Sequence, residues 1–265
     1  MLDGGRRAFV KAVAHEPNPE SPDFHRREAR ILSALPDTIP APRLLWTLDE
    51  GAKGWVVLAL EDVEGREPSL PWHPAELDRV LAAVEELHTA LTPSPVDAGS
   101  AGAVLEEKVN AWRVLAANTP PELDRWSQQH LDELVELEDA VAGAVAGDTL
   151  LHFDLRADNI LLAGERVYFV DWPHATTGAS WLDLVAFAPS VAMQGGPEPE
   201  VLLRRWSAAD EADPHAVSAA VASVAGFFTY RALLPPPPGL PTLRSFQAAQ
   251  GEVARQWLAQ RTGWK

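Results

Sequence analysis

Four polar residues between Leu150 and Asp171 have types and spacings that suit phosphoryl transfer. His152, Asp154 and Asn159 lie in one short polar loop, and Asp171 follows the next two apolar runs. The carboxylate of Asp154 can accept a proton from an attacking hydroxyl group. Asn159 and Asp171 offer the hard oxygen ligands that Mg²⁺ prefers. The pattern therefore predicts a general base beside a magnesium site.

The two apolar runs must position these residues. Ile160 to Leu162 and Val167 to Val170 are short, β-prone segments on either side of a turn that contains Gly164. Such a pattern predicts a β-hairpin. Because the start of one strand lies beside the end of its partner, we expect the side chains of Asn159 and Asp171 to face the same ion.

Arg156 adds a positive charge to the same loop, two residues after Asp154. Its guanidinium group can offer several fixed donors to a transferring phosphoryl group. In this reaction the protein supplies mainly positioning and charge neutralisation. Alternatively, the Asp and Asn residues only form turns and caps between strands. The four residue types at kinase catalytic-loop spacing, with strands where that loop requires them, favour the catalytic interpretation.

On these residues the chain resembles the aminoglycoside phosphotransferase family, small-molecule kinases with a two-lobed, protein-kinase-like fold. The resemblance covers most of the chain. It implies an α+β architecture with a small β-rich N-lobe and a larger, mainly helical C-lobe. It also implies that Asp154 is the catalytic base, that Asn159 and Asp171 hold magnesium, and that His152 buttresses the loop.

The chain departs from the family pattern at two places. Phe153 stands where the family often has Gly, and Trp172-Pro173 replaces the Phe-Gly that follows the metal-binding Asp in protein kinases. Neither change removes a reacting group.

An upstream Lys and Glu complete the predicted nucleotide site. Lys11 lies within the β-prone run from Phe9 to Val13, and Glu28 lies in a helix-like stretch from Phe24 to Leu35. A strand Lys paired with a helix Glu is the kinase arrangement for holding the α- and β-phosphates. Alternatively, Lys11 is a solvated residue that protects an edge strand.

Two further strands and a hinge follow in the predicted N-lobe. Trp46 to Leu48 and Trp55 to Leu60 are β-prone runs joined by a turn rich in Gly and charge. The next residues resemble the hinge between lobes, where backbone groups near Glu61 and Val63 would meet the base of the nucleotide. The alternative is an ordinary acidic loop. We expect an N-lobe over residues 1–63 and a C-lobe over residues 64–265.

The approach to the Lys11 strand is short. Family members have two strands and a Gly-rich turn before this strand, whereas ten residues precede Lys11. Gly4-Gly5 fits a hairpin turn, so we expect a truncated N-lobe without the usual phosphate-covering loop. Either the true start lies upstream of Met1, or the protein holds nucleotide with a reduced lobe.

The remainder of the chain predicts a mainly helical C-lobe. Periodic apolar residues predict helices at Pro74 to Leu91, Val104 to Ala117, His130 to Val145, Ala216 to Leu234 and Leu243 to Gln260. Another helix begins at Trp181, shortly after Asp171. Because a protein kinase needs a longer segment there to bind a peptide, the short link favours a small-molecule substrate.

Composition excludes several other classes of protein. The chain of 265 residues has no Cys, so it forms no disulfide, thiolate nucleophile or Cys-bound zinc site. Its net charge of −16 argues against a nucleic-acid surface. The acidity suits a cationic substrate, although it is also a common route to solubility. We see no stretch that could span a membrane and no secretion signal, and we expect a cytoplasmic protein.

Together these features predict an enzyme that uses Mg²⁺ and moves the γ-phosphate of ATP or GTP to a hydroxyl group. The acceptor would be a small, cationic or sugar-like molecule. The alternative is a nucleotide-binding pseudokinase or regulatory protein with little turnover, which the short N-terminus would explain.

Overall fold

The chain divides into two compact units. The computed structural model describes residues 7–16, 18–108, 110–210, 212–237 and 239–265. Unit 1 contains the chain up to Ser69 together with His73–Ala98 and Thr149–Thr176, and unit 2 contains the remainder. The predicted turn at Gly4-Gly5 lies outside the described residues. The predicted lobe boundary after residue 63 stays a prediction.

Unit 1 begins with a three-stranded antiparallel sheet. Its strands are β1 (Ala8–Val13), β2 (Leu44–Asp49) and β3 (Val56–Glu61), in the order β1-β3-β2. The central strand β3 is the most apolar of the three and is largely buried. Alternation along β1 places Phe9, Lys11 and Val13 on one face of the sheet. The three predicted strands are thus confirmed.

Helix α1 (Ser21–Ala34) packs on this sheet. Pro22 lies in its first turn, where a missing N–H costs nothing, and Leu35 adopts an extended conformation before Pro36. Ile31 and Leu32 are buried, but so is Glu28, which is only 1% exposed. A helix Glu at this depth needs a partner.

The rest of unit 1 carries the polar loop between Leu151 and Ile160. Its elements are α2 (Pro74–Ala90), β4 (Thr149–Leu151), a short 3₁₀ turn (Ala157–Asn159), β5 (Ile160–Ala163) and β6 (Arg166–Phe169), with β7 (Thr176–Gly178) crossing into unit 2. Strands β5 and β6 form the predicted antiparallel hairpin. Gly164 in its turn has φ of +57°, a value that favours glycine.

Unit 2 is helical over its described residues. Its helices are α3 (Ala101–Lys108), α4 (Ala111–Ala117), α5 (Arg125–Gln129), α6 (Leu131–Ala144), α7 (Leu182–Met193), α8 (Pro199–Leu203), α9 (Ser207–Asp210), α10 (Pro214–Ala232) and α11 (Leu243–Thr262).

The prediction of one helix from Val104 to Ala117 is wrong, because the structure has two helices, α3 and α4. The backbone N–H groups of Trp112 and Arg113 donate to the Glu138 carboxylate of α6, at 3.1 and 3.0 Å. In a continuous helix these groups would bond to carbonyls one turn earlier. The buried Glu138 carboxylate thus replaces the carbonyl groups of a preceding turn as acceptor, and a new helix begins here.

One helix corrects the statement that no stretch could span a membrane. Pro214–Leu233 is long and apolar enough by length and composition, although 61% of its most apolar window is buried inside the protein. A core helix meets the same criterion. Because α10 packs against α4, α6, α7 and α11, we interpret it as the central helix of unit 2.

Candidate active site

Lys11 lies at the centre of an ion cluster in unit 1. Its Nζ donates to both carboxylate oxygens of Glu28, at 2.7 and 2.8 Å, and to Oδ1 of Asp171 at 2.7 Å. Burial alone lowers the pKa of Lys11, but the charges of Glu28 and Asp171 outweigh it, so the pKa is raised. Lys11 is therefore a partly buried, charged residue that is paired with two carboxylates, rather than a solvated residue of an edge strand.

Asp171 follows β6 and is held in an unusual backbone conformation. Its φ of +68° lies in the left-handed region, which costs a non-glycine residue about 1 kcal/mol or more. Burial alone would raise the pKa of its carboxyl group, but the Lys11 ammonium outweighs that effect and holds the pKa below its usual range. The carboxylate stays ionised and available to a cation.

Trp172 anchors the residue that follows Asp171. Its backbone N–H donates to Oε1 of Glu28 at 3.3 Å, and its indole Nε1 donates to the carbonyl of Phe169 at 2.8 Å. The ring is fully buried and packs edge-on against His152, with ring centres 4.7 Å apart. Glu28 thus bonds to both Lys11 and the segment that carries Asp171.

His152 connects the polar loop to the segment that precedes Asp171. It is fully buried; its Nε2 lies 2.9 Å from the carbonyl of Val170, and its Nδ1 accepts the backbone N–H of Asp154 at 3.3 Å. This pair of contacts fits a neutral ring with its proton on Nε2. The geometry agrees with the buttressing role that the family resemblance implies.

Asp154 and Asn159 face each other across this loop. The side-chain Nδ2 of Asn159 donates to the backbone carbonyl of Asp154 at 2.9 Å and to its Oδ2 at 3.0 Å. Burial raises the pKa of Asp154, and the positive charge of Arg156 opposes that shift only in part. A carboxylate with a raised pKa is a better proton acceptor.

Arg156 is less free than the sequence suggested. Its Nε and Nη2 donate to the two carboxylate oxygens of Asp158, at 2.9 and 2.6 Å, while its Nη1 lies 3.5 Å from Oδ1 of Asp154. Asp158 was not among the predicted residues. The guanidinium group remains next to the candidate base. Its two hydrogen bonds to Asp158 must break before all of its donors can reach a phosphoryl group.

Asn159 and Asp171 form a donor set that fits magnesium. The hairpin joins them through its backbone, since the N–H of Val170 donates to the carbonyl of Asn159 at 3.0 Å. Because Nδ2 of Asn159 is engaged with Asp154, the amide oxygen is left for a ligand. Among the described residues no group of three or more His, Cys, Asp or Glu side chains could hold a metal by itself. Two protein oxygens plus substrate phosphates is the usual arrangement for Mg²⁺.

The predicted hinge residues lie at the end of β3. The side chain of Glu61 pairs with Arg43 at 3.1 Å, and its backbone N–H donates to the Arg43 carbonyl. Arg7 forms ion pairs with Asp62 at 2.6 Å and Glu64 at 3.1 Å. The backbone of Val63 makes no hydrogen bond to any other described residue, so its polar groups are available to a ligand.

Two further residues near Asp171 escaped the sequence analysis. His174 packs its ring on Phe24 of α1, with centres 5.2 Å apart, and Arg27 of α1 donates to the backbone carbonyl of Ala175. Both contacts join positions about 150 residues apart. No spacing rule within one element could have signalled them.

The fold is that of the protein-kinase-like small-molecule kinases. The structure is similar to choline kinase LicA from Streptococcus pneumoniae, with a TM-score of 0.64 and 15% identity over 97% of this chain and 87% of that one. It is also similar to a choline/ethanolamine kinase family protein from Mesorhizobium loti, with a TM-score of 0.59 and 18% identity over 96% and 82%.

A third similar structure contains ligands. It is a thermostable mutant of aminoglycoside phosphotransferase APH(4)-Ia in a ternary complex with AMP-PNP and hygromycin B, with a TM-score of 0.62 and 15% identity over 97% of this chain and 87% of that one. No curated protein matches the chain in sequence.

The family model described as the phosphotransferase enzyme family matches residues 2–220. The chain belongs to this family. It is therefore a small-molecule phosphotransferase with the α+β, protein-kinase-like fold that the sequence predicted.

Proposed function

We propose that this protein is an active kinase that moves the γ-phosphate of ATP to a hydroxyl group of a small cationic or sugar-like molecule. One observation supports this above the others. Lys11 bridges Glu28 and Asp171 while Asp154 and Asn159 face each other in the adjoining loop. These residue types are the ones that phosphoryl transfer requires, which supports an active kinase.

Each residue has a defined part in the reaction. Lys11, held by Glu28, binds the α- and β-phosphates, and backbone groups at Glu61 and Val63 bind the base. Asn159 and Asp171 would hold Mg²⁺, which would neutralise phosphate charge. Asp154 takes the proton of the acceptor hydroxyl as that oxygen attacks the γ-phosphorus, the bond from this phosphorus to the β,γ-bridging oxygen breaks, and ADP leaves.

Arg156 stabilises the charge of the transferring group. Its position near Asp154 lets it contact the γ-phosphate once its hydrogen bonds to Asp158 have broken. The same charge keeps the pKa of Asp154 from rising further, since it is the largest effect opposing burial.

The net charge supports a cationic acceptor. With −16 over 265 residues, the protein attracts cations to its surface. Two of the similar structures are a choline kinase and an aminoglycoside phosphotransferase bound to hygromycin B. Choline and aminoglycosides are cationic alcohols, so we propose an acceptor of this class. The AMP-PNP in the aminoglycoside phosphotransferase structure supports ATP as the phosphoryl donor, with GTP as the alternative.

Calorimetric titration of Mg²⁺-ATP and Mg²⁺-GTP tests this proposal. We expect binding in the micromolar range that requires Mg²⁺, and we expect Asp171→Ala to weaken it by about tenfold or more because a metal ligand is lost. Asp154→Asn should bind nucleotide normally but lose turnover by about 10²-fold or more, because the base no longer accepts a proton.

The outcomes separate the proposed function from the pseudokinase alternative. Normal nucleotide binding without turnover of any cationic or sugar-like alcohol would favour a regulatory nucleotide-binding protein. Near-normal turnover in Asp154→Asn would refute the assignment of the base, and unchanged metal-dependent affinity in Asp171→Ala would refute the metal ligand.

A further inference from the structure

Arg27 makes an unusual set of contacts beside the ion cluster. It precedes Glu28 on α1, and its Nη2 donates to two backbone carbonyls, those of Ala175 at 2.7 Å and Ala98 at 3.0 Å. Ala175 lies four residues after Asp171. Two adjacent side chains of α1 therefore bond to the segment 171–175, Glu28 at its second residue and Arg27 at its last.

Arg27 donates to neutral carbonyl groups and not to a carboxylate of the described residues. Among the described residues no carboxylate lies within ion-pair distance of its guanidinium group, and its buried Nε has no hydrogen-bond partner. Burial, and then the like charge of Arg30, lower its pKa. Arg27 is partly buried, and donating to neutral carbonyls compensates a cation for lost hydration less than pairing with a carboxylate would. Its place in the sequence therefore needs an explanation beyond the stability of α1.

The segment 171–175 gives that explanation. Asp171 has a left-handed backbone, and such a conformation persists only where the surroundings hold it. Lys11 holds the Asp171 side chain, and Glu28 holds the following N–H. Both of these contacts lie at the start of the segment. Arg27 fixes its other end to the same helix.

We propose that Arg27 is a positioning residue that ties the segment 171–175 to α1 and so keeps Asp171 in the conformation that binds the metal–nucleotide complex. The metal part of this inference rests on the proposed function. The tie itself rests on the contact between Arg27 and the Ala175 carbonyl and applies to the protein without ligand.

A matched pair of variants tests the tie. Arg27→Met removes both carbonyl contacts but keeps an unbranched side chain in the same space. Arg30→Met is the control, because Arg30 also lies on α1 and also donates to a backbone carbonyl, that of Asp97 at 2.7 Å, but it does not contact the segment 171–175. Thermal unfolding of both variants establishes that they fold.

Hydrogen exchange of the ligand-free protein is the first measurement. We expect amides in the peptide covering 171–176 to exchange about tenfold faster in Arg27→Met than in the wild type, since a hydrogen bond from a charged donor has been lost. In Arg30→Met the same peptide should exchange at the wild-type rate. Equal protection of this peptide in Arg27→Met and in the wild type would overturn the proposal.

The second measurement is the Mg²⁺ concentration needed for half-maximal nucleotide binding. We expect it to rise by about fivefold to tenfold in Arg27→Met, with kcat reduced and the KM of the acceptor unchanged. Arg27→Lys should recover part of the loss, because an ammonium group can reach one of the two carbonyls. A changed exchange rate with unchanged Mg²⁺ dependence would overturn the metal role.

These results are distinguishable from failure of the proposed function. A wild-type protein that binds no Mg²⁺-nucleotide would refute that function and the metal role together, whatever the exchange data show. A wild type that binds nucleotide, with Arg27→Met indistinguishable from it in exchange and in Mg²⁺ dependence, would refute the inference alone.

Discussion

Two residues of the candidate site adopt a left-handed backbone conformation, which is unfavourable for any residue that has a side chain. Among the described residues, Phe153 with φ of +62° and Asp171 with φ of +68° are the non-glycine residues with positive φ. Phe153 directly precedes the candidate base Asp154, and Asp171 follows the β5–β6 hairpin. Strain of this kind gathers where the surrounding structure fixes reacting groups. At residue 153 the family often has Gly, and the structure shows why.

Substitutions at Phe153 measure this strain. Phe153→Ala and Phe153→Gly both remove the ring, but only Gly adopts a positive φ without steric cost. We expect Phe153→Gly to be more stable than Phe153→Ala by about 1 kcal/mol in denaturant unfolding. The same pair at Phe187, which is buried in the helix α7, should show the opposite order because Gly weakens helices. Equal stability of the two variants at 153 would show that its backbone relaxes.

At the scale of elements, local pattern predicted most of what positions the site. Alternating and periodic apolar residues predicted β1, α1, β3 and the β5–β6 hairpin. These elements bring Lys11, Glu28 and Asp171 together. The residues that were missed act across long separations. Arg27 bonds to Ala175, and no property of either residue within its own element indicates the other.

The break between α3 and α4 has the same origin. Residues 104–117 are apolar at helical spacing, so the pattern predicted one helix. The Glu138 carboxylate, from an element that begins at Leu131, accepts the two amides that start α4. A buried cap supplied by a distant helix outweighed local helix propensity.

Removing this cap should destabilise the protein. We expect Glu138→Ala to lower the free energy of unfolding by about 2 kcal/mol, because the buried N–H group of Trp112 and the partly buried N–H group of Arg113 lose their acceptor. Glu138→Gln keeps one acceptor oxygen and should cost less. Glu136 lies on the exposed side of α6, and Glu136→Ala is the control, with an expected change within about 0.5 kcal/mol. A loss as small as the control's in Glu138→Ala would show that water replaces the carboxylate as acceptor.

At the scale of the whole molecule, the net charge of −16 permits two interpretations. If the acidity only maintains solubility, it has no relation to the acceptor. If it attracts a cationic acceptor, the attraction extends over about one Debye length, roughly 10 Å at 0.1 M salt, and weakens as salt is added. The two interpretations therefore differ in how the rate depends on ionic strength.

Salt dependence of kcat/KM decides between them. For a cationic alcohol that the enzyme phosphorylates, we expect kcat/KM to fall by about threefold to tenfold between about 0.02 and 0.2 M salt, because screening removes the attraction. For Mg²⁺-ATP, which is anionic, the same addition of salt should leave kcat/KM unchanged or raise it. A neutral sugar-like acceptor is the control and should respond weakly. If cationic and neutral acceptors respond alike, the acidity serves solubility, and the specificity for the acceptor must come from contacts within the site.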